Sequence, residues 1–309
     1  MTDLTNTHPR TPESSHVGTG TTEMLPGRTV SQSSPVVAAP QSRTPGGPRS
    51  RMAAAGWTVL LRLSVPILIV VVWWIVSLGE TSGLFVPTPY EAVQTFWNEF
   101  VLGNAVVEHT LPSLYRALVG LALAIIIGIV VGVALGMSTI LTGLFQPLVH
   151  LGRSLPSPAL LGVFFILFGI GDAPKIFLIA FAVVWPVLLN TIDGVGAVGE
   201  TRSQAAQVFR IPAYRVLVFI VLPGAAPKIF AGIRTSMSYS LIMMIISELQ
   251  RSENGFGFLL IQSQRNFDFG TFFAVLIMLV IIGVVFNVIF KTIERRVLAW
   301  HRGVTAQND

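Results

Sequence analysis

Cysteine is absent from the chain, and charged residues make up only 11% of it. The absence of cysteine excludes disulfides, thiolate metal sites and cysteine nucleophiles. The shortage of charge argues against an ordinary soluble domain, in which about a quarter of the residues are charged.

Motifs for catalysis and for nucleotide binding are missing as well. The sequence contains no G-x-x-x-x-G-K-[ST] phosphate loop and no H-E-x-x-H zinc motif. Its five histidines lack metal-ligand spacing, and its scattered carboxylates do not form a catalytic pair. We therefore expect no catalytic residue, no metal site and no cofactor bound by this chain. Energy for uphill work would come from an ion gradient or from another polypeptide.

Apolar residues are abundant: they make up 52% of the chain, and the mean hydropathy is +0.70. Runs such as "LVGLALAIIIGIVVGVALGM" reach the roughly 20 residues with which a helix crosses about 30 Å of hydrocarbon. The sequence thus predicts an all-α protein of the lipid bilayer with about six spans. These are 58–79, 112–137, 143–169, 175–192, 223–248 and 271–291.

Composition divides the chain into three parts. Residues 1–52 are rich in Ser, Thr, Pro and Gly and lack apolar periodicity, so we expect a disordered tail. Residues 53–302 form the transmembrane domain, and 303–309 are a short C-terminal tail.

The basic residues indicate orientation in the membrane. A net charge of +5 could suggest a nucleic-acid partner, but the placement of the charges favours the positive-inside rule. The segment between the first two spans has no Lys or Arg, whereas Arg202, Arg210 and Arg215 lie between the fourth and fifth spans. We predict a protein of the cell membrane with cytoplasmic termini and no nucleic-acid partner.

A short amphipathic helix is predicted between the first two spans. Thr88 can cap it, Pro89 fits its first turn, and Glu91 completes a capping box. Its expected apolar stripe comprises Val93, Phe96, Trp97, Phe100 and Val101. The helix could lie on the bundle or at the membrane interface, or it could contact an external partner.

Small residues and prolines mark the next two spans. The second span has a small residue at every fourth position: Gly120, Ala124, Gly128, Gly132 and Gly136. Such a stripe permits close packing, either within one bundle or between subunits. The third span is interrupted by Pro147, Pro156 and Pro158 and contains Arg153. Arg153 either pairs structurally near the cytoplasmic end or lies near an anionic solute; Arg116 could also favour anions.

The fifth span carries polar groups on one face. Ser236, Ser240, Met243 and Ser247 follow spacings of four, three and four residues, and Glu248 lies at the outer end. Helix packing would explain only the serines, whereas a solute path would explain both the serines and the Glu248 carboxylate.

The stretch "TRSQAAQVF", residues 201–209, is predicted to be a short cytoplasmic helix, and we call residues 204–212 the coupling segment. Ala205 and Ala206 offer a flat surface, Val208 and Phe209 an apolar tip, and Pro212 stops the helix. It either packs on its own chain or docks a soluble partner.

The coupling segment resembles the Glu-Ala-Ala loop of ABC importer permeases. That loop has a Glu-Ala-Ala triplet, a Gly four residues beyond it and an apolar-Leu-Pro ending; the matching residues here are Ala205, Ala206, Leu222 and Pro223. Gln204 replaces the Glu and Arg210 replaces the Gly, which implies a different turn, since Gly would permit a positive φ. Other blocks, including "PTPYEAVQTFW" and "SELQRSENGFGFLL", are similar to the nitrate, sulfonate and taurine branch. Together they cover most of residues 58–302.

The resemblance implies a type I (MetI-like) permease bundle that forms a homodimer. Its partners would be two cytoplasmic ATPase subunits, which hold ATP and Mg, and an external solute-binding protein that delivers an aliphatic sulfonate, taurine or nitrate. The ATPase-docking residues would be Gln204, Ala205, Ala206, Gln207, Val208, Phe209, Arg210 and Pro212. The candidate translocation path comprises Arg153, Ser236, Ser240, Met243, Ser247 and Glu248. A gradient-driven secondary transporter is the alternative, although neither a convincing inverted repeat nor an intramembrane carboxylate pair is evident; a membrane enzyme or scaffold has less support.

Overall fold

The described chain is helical. A computed structural model describes residues 64–79, 85–198 and 210–299, which contain no strand. The predicted tails, 1–52 and 303–309, lie outside these residues. The helices are α1 (Ser64–Ser77), α2 (Pro89–Phe96), α3 (Leu111–Gly136), α4 (Thr139–Ser154), α5 (Leu161–Phe168), α6 (Ala173–Gly196), α7 (Ala213–Val216), α8 (Leu222–Glu248), α9 (Phe256–Arg265) and α10 (Phe269–Val297).

Four described helical stretches are long and apolar enough to cross a membrane: Val106–Gly136, Asp172–Gly196, Ala213–Glu248 and Phe269–Val297. They coincide with the second, fourth, fifth and sixth predicted spans. The third predicted span is a bent pair, in which α4 and the helix Ser157–Phe168 meet at 87°. The first predicted span appears as the shorter apolar helix α1, and residues 58–63 lie outside the described chain. The all-α membrane fold is confirmed.

Prolines cause the bend in the third span, as predicted. α4 ends at Ser154, and Pro156 and Pro158 begin a single 3₁₀ turn, Ser157–Leu160, before α5. A proline cannot donate its main-chain nitrogen and restricts the residue before it, so the two prolines end the hydrogen-bond ladder here. Pro147 lies inside α4 without ending it.

The centre of the bundle consists of α3, α6 and α8. The small residues of α3 face α6: a Cβ built on Gly120 would lie 2.7 Å from Ile179, and one built on Gly128 would lie 2.8 Å from Val187. Real Cβ atoms do not approach that closely, so only glycine lets the two backbones come together. The stripe therefore packs within one chain, which is the first of its two predicted roles.

Helix directions define two ends of the bundle. Contacts advance in the same sense along α3 and α6, from Gly120 with Ile179 to Gly136 with Val195, so these helices are parallel. Helix α8 runs the opposite way, because its early residue Ala225 meets Gly194 of α6. The chain between α3 and α6 must therefore return across the bundle, which supports counting α4 and α5 as one broken span. We call the end near Gly196 the loop end and the other the outer end.

Helix α2 has the predicted capping box. Glu91 N donates to Thr88 Oγ1 at 3.2 Å, and Thr88 N donates to Glu91 Oε2 at 2.9 Å. The helix packs on α10. The predicted apolar stripe is partly wrong, because Ala92 and Phe100 are buried while Val93 and Trp97 are exposed. A π-helical turn, Trp97–Leu102, follows α2 and changes the periodicity for the part of the stripe from Trp97 onward.

Candidate functional site

The coupling segment connects the loop ends of α6 and α8. Most of its predicted docking residues lie outside the described chain, and their role stays a prediction. These residues are Gln204, Ala205, Ala206, Gln207, Val208 and Phe209. The described chain resumes at Arg210. Pro212 then caps α7, and the helical chain continues from Ala213 to Glu248 through a π-helical turn.

Arg210 adopts the backbone conformation that glycine would adopt. Its φ is 52°, in the left-handed region. Arg210 thus has the positive φ that Gly would permit at this position, and the expectation of a turn different from that of the family stays a prediction. A side chain in this region costs on the order of 1 kcal/mol, so the surroundings must offset that cost.

The two helices that flank the coupling segment are in close backbone contact. A Cβ built on Gly194 of α6 would lie 3.1 Å from Ala225 O, and one on Gly232 of α8 would lie 2.7 Å from Pro186 O. Lys228 Nζ also donates to Asp193 O at 3.1 Å. Because the backbones touch at several levels, a force on the coupling segment would reach α6 and α8 together.

The predicted polar face of α8 lies inside the bundle. Ser236 Oγ donates to Val183 O of α6 at 2.6 Å, whereas Ser240 and Ser247 donate to main-chain oxygens three residues earlier in α8. All three serines are fully buried, and Met243 belongs to the main core. These contacts are those of helix packing, and the role of this face in a solute path stays a prediction.

Glu248 lies in a buried cluster at the outer end, which we call the outer network. Its carboxylate accepts from Arg116 Nη1 at 2.7 Å and from Gly257 N at 3.1 Å. Ser113 Oγ lies 2.9 Å from both carboxylate oxygens and accepts from Phe256 N at 3.0 Å. Buried charges need such partners, because desolvating an unpaired carboxylate is costly.

Arg116 joins Glu248 to two further elements. It is 2% exposed, and its Nε donates to Asp172 Oδ1 at 2.7 Å, just before α6. Its Nη1 and Nη2 donate to the main-chain and side-chain oxygens of Asn254, before α9. One guanidinium therefore connects α3, the start of α6, the end of α8 and the turn before α9, using its planar set of donors.

Glycines make room for the Glu248 carboxylate. Gly255 has φ 103°, and a Cβ there would lie 2.5 Å from the carboxylate. A Cβ built on Gly257 would lie 2.6 Å from the Cβ of Glu248. The "ENGFGF" turn is therefore shaped around Glu248. His109 Nδ1 accepts from Gly255 N at 3.2 Å, so this histidine also supports the turn.

Sequence reasoning missed most of the outer network. The sequence indicates Arg116 only as a residue that could favour anions, and it predicts no role for Ser113, Asp172 or Asn254. A signal was present, because a charged residue in a span requires a partner at the same depth.

Arg153 does not join these groups. Its side chain is exposed on α4 and forms no salt bridge within residues 64–79, 85–198 and 210–299. No hydrogen bond in that part of the chain links it to the α8 face. Its predicted place beside a solute stays a prediction.

Comparison with known proteins finds a family model and several permeases that this chain resembles. The family model described as "Binding-protein-dependent transport system inner membrane component" matches residues 120–299. The taurine transport system permease protein TauC of Escherichia coli K12 is 30% identical over 248 residues, or 79% of this chain and 90% of TauC. SsuC of Bacillus subtilis 168, a permease named for aliphatic sulfonates transport, is 28% identical over 246 residues, or 79% of this chain and 88% of SsuC.

Proposed function

The chain belongs to the family of binding-protein-dependent transport system inner membrane components, and from that premise we propose how it imports its solute. It is the multi-pass permease subunit of an ABC importer. The family implies ATPase and binding-protein partners in general. Their number, their docking site and the solute are the subject of the proposal.

Two copies of this chain form the pore, and one cytoplasmic ATPase subunit docks on the coupling segment of each. ATP and Mg are held by the ATPases. The observation that supports this most is the close packing of α6 and α8 beside the segment, through Gly194 with Ala225 and Gly232 with Pro186. When the ATPases approach each other, the segment moves and displaces both helices, which biases the pore between two arrangements.

Charge supports a cytoplasmic position for the loop end. Arg210 and Arg215 lie there, and the closing end of α10 carries Lys291 and Arg296 on the same side. Glu294 of α10 pairs with Arg234 in the first half of α8, which places the end of α10 at the loop end. By the positive-inside rule the termini are cytoplasmic and the outer network faces the binding protein.

The solute is an alkanesulfonate or taurine, with nitrate as second choice and an uncharged or heterocyclic nutrient as third. The relatives named for sulfonates and taurine support this order. Measuring which of these solutes binds the cognate external protein tests it. In vesicles with all partners, vanadate-sensitive and ATP-dependent uptake is expected, whereas uptake that follows an ion gradient without ATP would favour a secondary transporter.

Docking can be tested by cross-linking, because the chain has no cysteine. A cysteine at Ala205 should cross-link to a cysteine in the surface groove of the ATPase in the assembled transporter. The matched control is Asn104→Cys, an exposed position at the outer end that should not react with the ATPase. If no position from Ala205 to Phe209 cross-links while the complex stays assembled, the docking proposal is wrong.

A further inference from the structure

A polar cavity of about 470 Å³ lies at the outer end, between the end of α8 and helix α9. Its lining includes Arg251, Ser252, Gln262, Arg265 and Asn266. We propose that this cavity is an oxyanion site, which binds the sulfonate group of the solute on the outer side of the permease. The assignment of the sulfonate rests on the proposed function, whereas the assignment of an oxyanion rests on the cavity itself.

The charge of the cavity favours an anion. Arg251 and Arg265 are exposed, and neither forms a salt bridge within the described chain. The one carboxylate in the lining, Glu248, is already paired with Arg116 at 2.7 Å. Two guanidinium groups therefore remain available, and each can donate two parallel hydrogen bonds to an oxyanion.

These arginines are exceptions to the charge pattern of the protein. The segment 80–111, at the same end, contains no Lys or Arg at all. Arg265 lies in the last turn of α9, where the helix dipole favours a cation. That explanation does not extend to Arg251, which precedes α9 and belongs to no helix. A shared ligand accounts for both.

Neutral donors complete the cavity. Ser252 Oγ is buried and has no hydrogen-bond partner within the described chain, although such groups are normally satisfied. Gln262 lies on α9, and Asn266, four residues later, caps the end of that helix, so both amides can reach the same ligand. A sulfonate has three acceptor oxygens on one face, which suits a site with charged and neutral donors on several sides.

The backbone holds Arg251 in an unusual conformation. Its φ is 48°, in the left-handed region, where a residue with a Cβ stays only if its surroundings require it. The residues that follow are held by the outer network: Asn254 accepts from Arg116, and Gly257 N donates to Glu248. The site is therefore built on a turn that is anchored to three spans, and a bound anion would lie directly above the outer network.

The position fits a solute that arrives from outside. The arginines fall between the membrane-spanning stretches that end at Glu248 and begin at Phe269. Positive charge at the entrance of a pore raises the local concentration of an anion. The cavity volume lies within the range of about 300–1,000 Å³ that is usual for small-molecule sites.

The experiment compares two cysteines on α9 in the otherwise cysteine-free chain. Gln262→Cys lies in the cavity lining, whereas Gln264→Cys is also exposed on the same helix but lies outside the lining. Each full-length variant is reconstituted with its ATPase in lipid nanodiscs and labelled with a maleimide. Methanesulfonate is titrated at constant ionic strength, with chloride as the balancing anion.

Methanesulfonate should slow the labelling of Gln262→Cys and leave that of Gln264→Cys unchanged. At a concentration ten times the dissociation constant, the rate should fall about tenfold, because only the free site reacts. Adding R251Q and R265Q should abolish the protection, whereas R215Q, a change in an exposed arginine near the loop end, should not.

Three results would overturn the proposal: equal protection of both cysteines, protection that chloride reproduces, or protection that survives R251Q and R265Q. The labelling assay uses neither ATP nor the binding protein. A wrong choice of transported solute would therefore leave protection by methanesulfonate intact. Conversely, absence of protection in a complex that imports taurine would reject the oxyanion site alone.

Discussion

Replacing Glu248 by alanine should destabilise the bundle by about 3 kcal/mol or more. The change leaves Arg116, which is only 2% exposed, without its buried carboxylate partner, and removing one member of a buried ion pair costs about 3–5 kcal/mol. Asp172 still accepts from Arg116 Nε at 2.7 Å, but its side chain is 48% exposed, so it compensates only in part. The Gly257 N–H also loses its acceptor, which adds to the penalty.

The assay is thermal unfolding of the purified chain in one detergent or in nanodiscs. At about 2–4 °C for each kcal/mol, a loss of about 3 kcal/mol lowers the melting temperature by roughly 6–12 °C. The matched control is Glu253→Ala, which removes an exposed carboxylate from the same turn and should change little.

A second variant separates the charge from the packing. When both charges are removed together, as in Arg116→Met with Glu248→Leu, no buried charge is left unpaired, so much of the stability should return. A Glu248→Ala protein with the melting temperature of the wild type would refute the reasoning, because Asp172 and Asn254 would then be sufficient to compensate the buried charge of Arg116. The outer network would in that case not hold α3 to α8.

Two further predictions concern glycine geometry, and both can be measured as melting temperatures. Gly128→Ala should lower the free energy of unfolding by about 1–3 kcal/mol, because its Cβ would lie 2.8 Å from Val187. Gly143→Ala, whose Cβ would have no atom within 4 Å, should cost nothing. Equal effects of the two changes would contradict close packing of α3 on α6. Arg210→Gly should raise stability by up to about 1 kcal/mol, because it removes a side chain from a residue with φ 52°, and Arg210→Ala should not raise it. A loss of stability in Arg210→Gly would mean that the Arg210 side chain itself holds the turn.

Local signals in the sequence predicted local structure well. Thr88 and Glu91 form the expected capping box, because that interaction needs only residues three apart. Pro156 and Pro158 break the third span where expected, since proline acts through its own ring. The apolar runs gave the positions of the spans, because crossing a bilayer requires a length that composition reveals.

The sequence alone could not predict which distant residues would pair. Arg116 and Glu248 are 132 positions apart, and nothing in either neighbourhood specifies the other. The same limit applies to the predicted path: a spacing of four, three and four residues places Ser236 on the same face as Ser247 but not against a particular neighbour. The structure turns that face toward α6, where Ser236 meets Val183.

The packing of the bundle restricts where a transport motion can occur. Helices α3, α6 and α8 touch backbone to backbone near Gly128 and Gly232, and Arg116 joins them again at the outer end. Moving one of these helices past another would therefore create clashes or unpaired charges. By contrast, within a single copy of the chain α4 buries only Val149, and the 3₁₀ turn beside the 87° bend buries no residue. Low burial means a low cost of local rearrangement. We therefore expect the three central helices to move as one body when the ATPases act, and the α4–α5 bend to absorb the displacement.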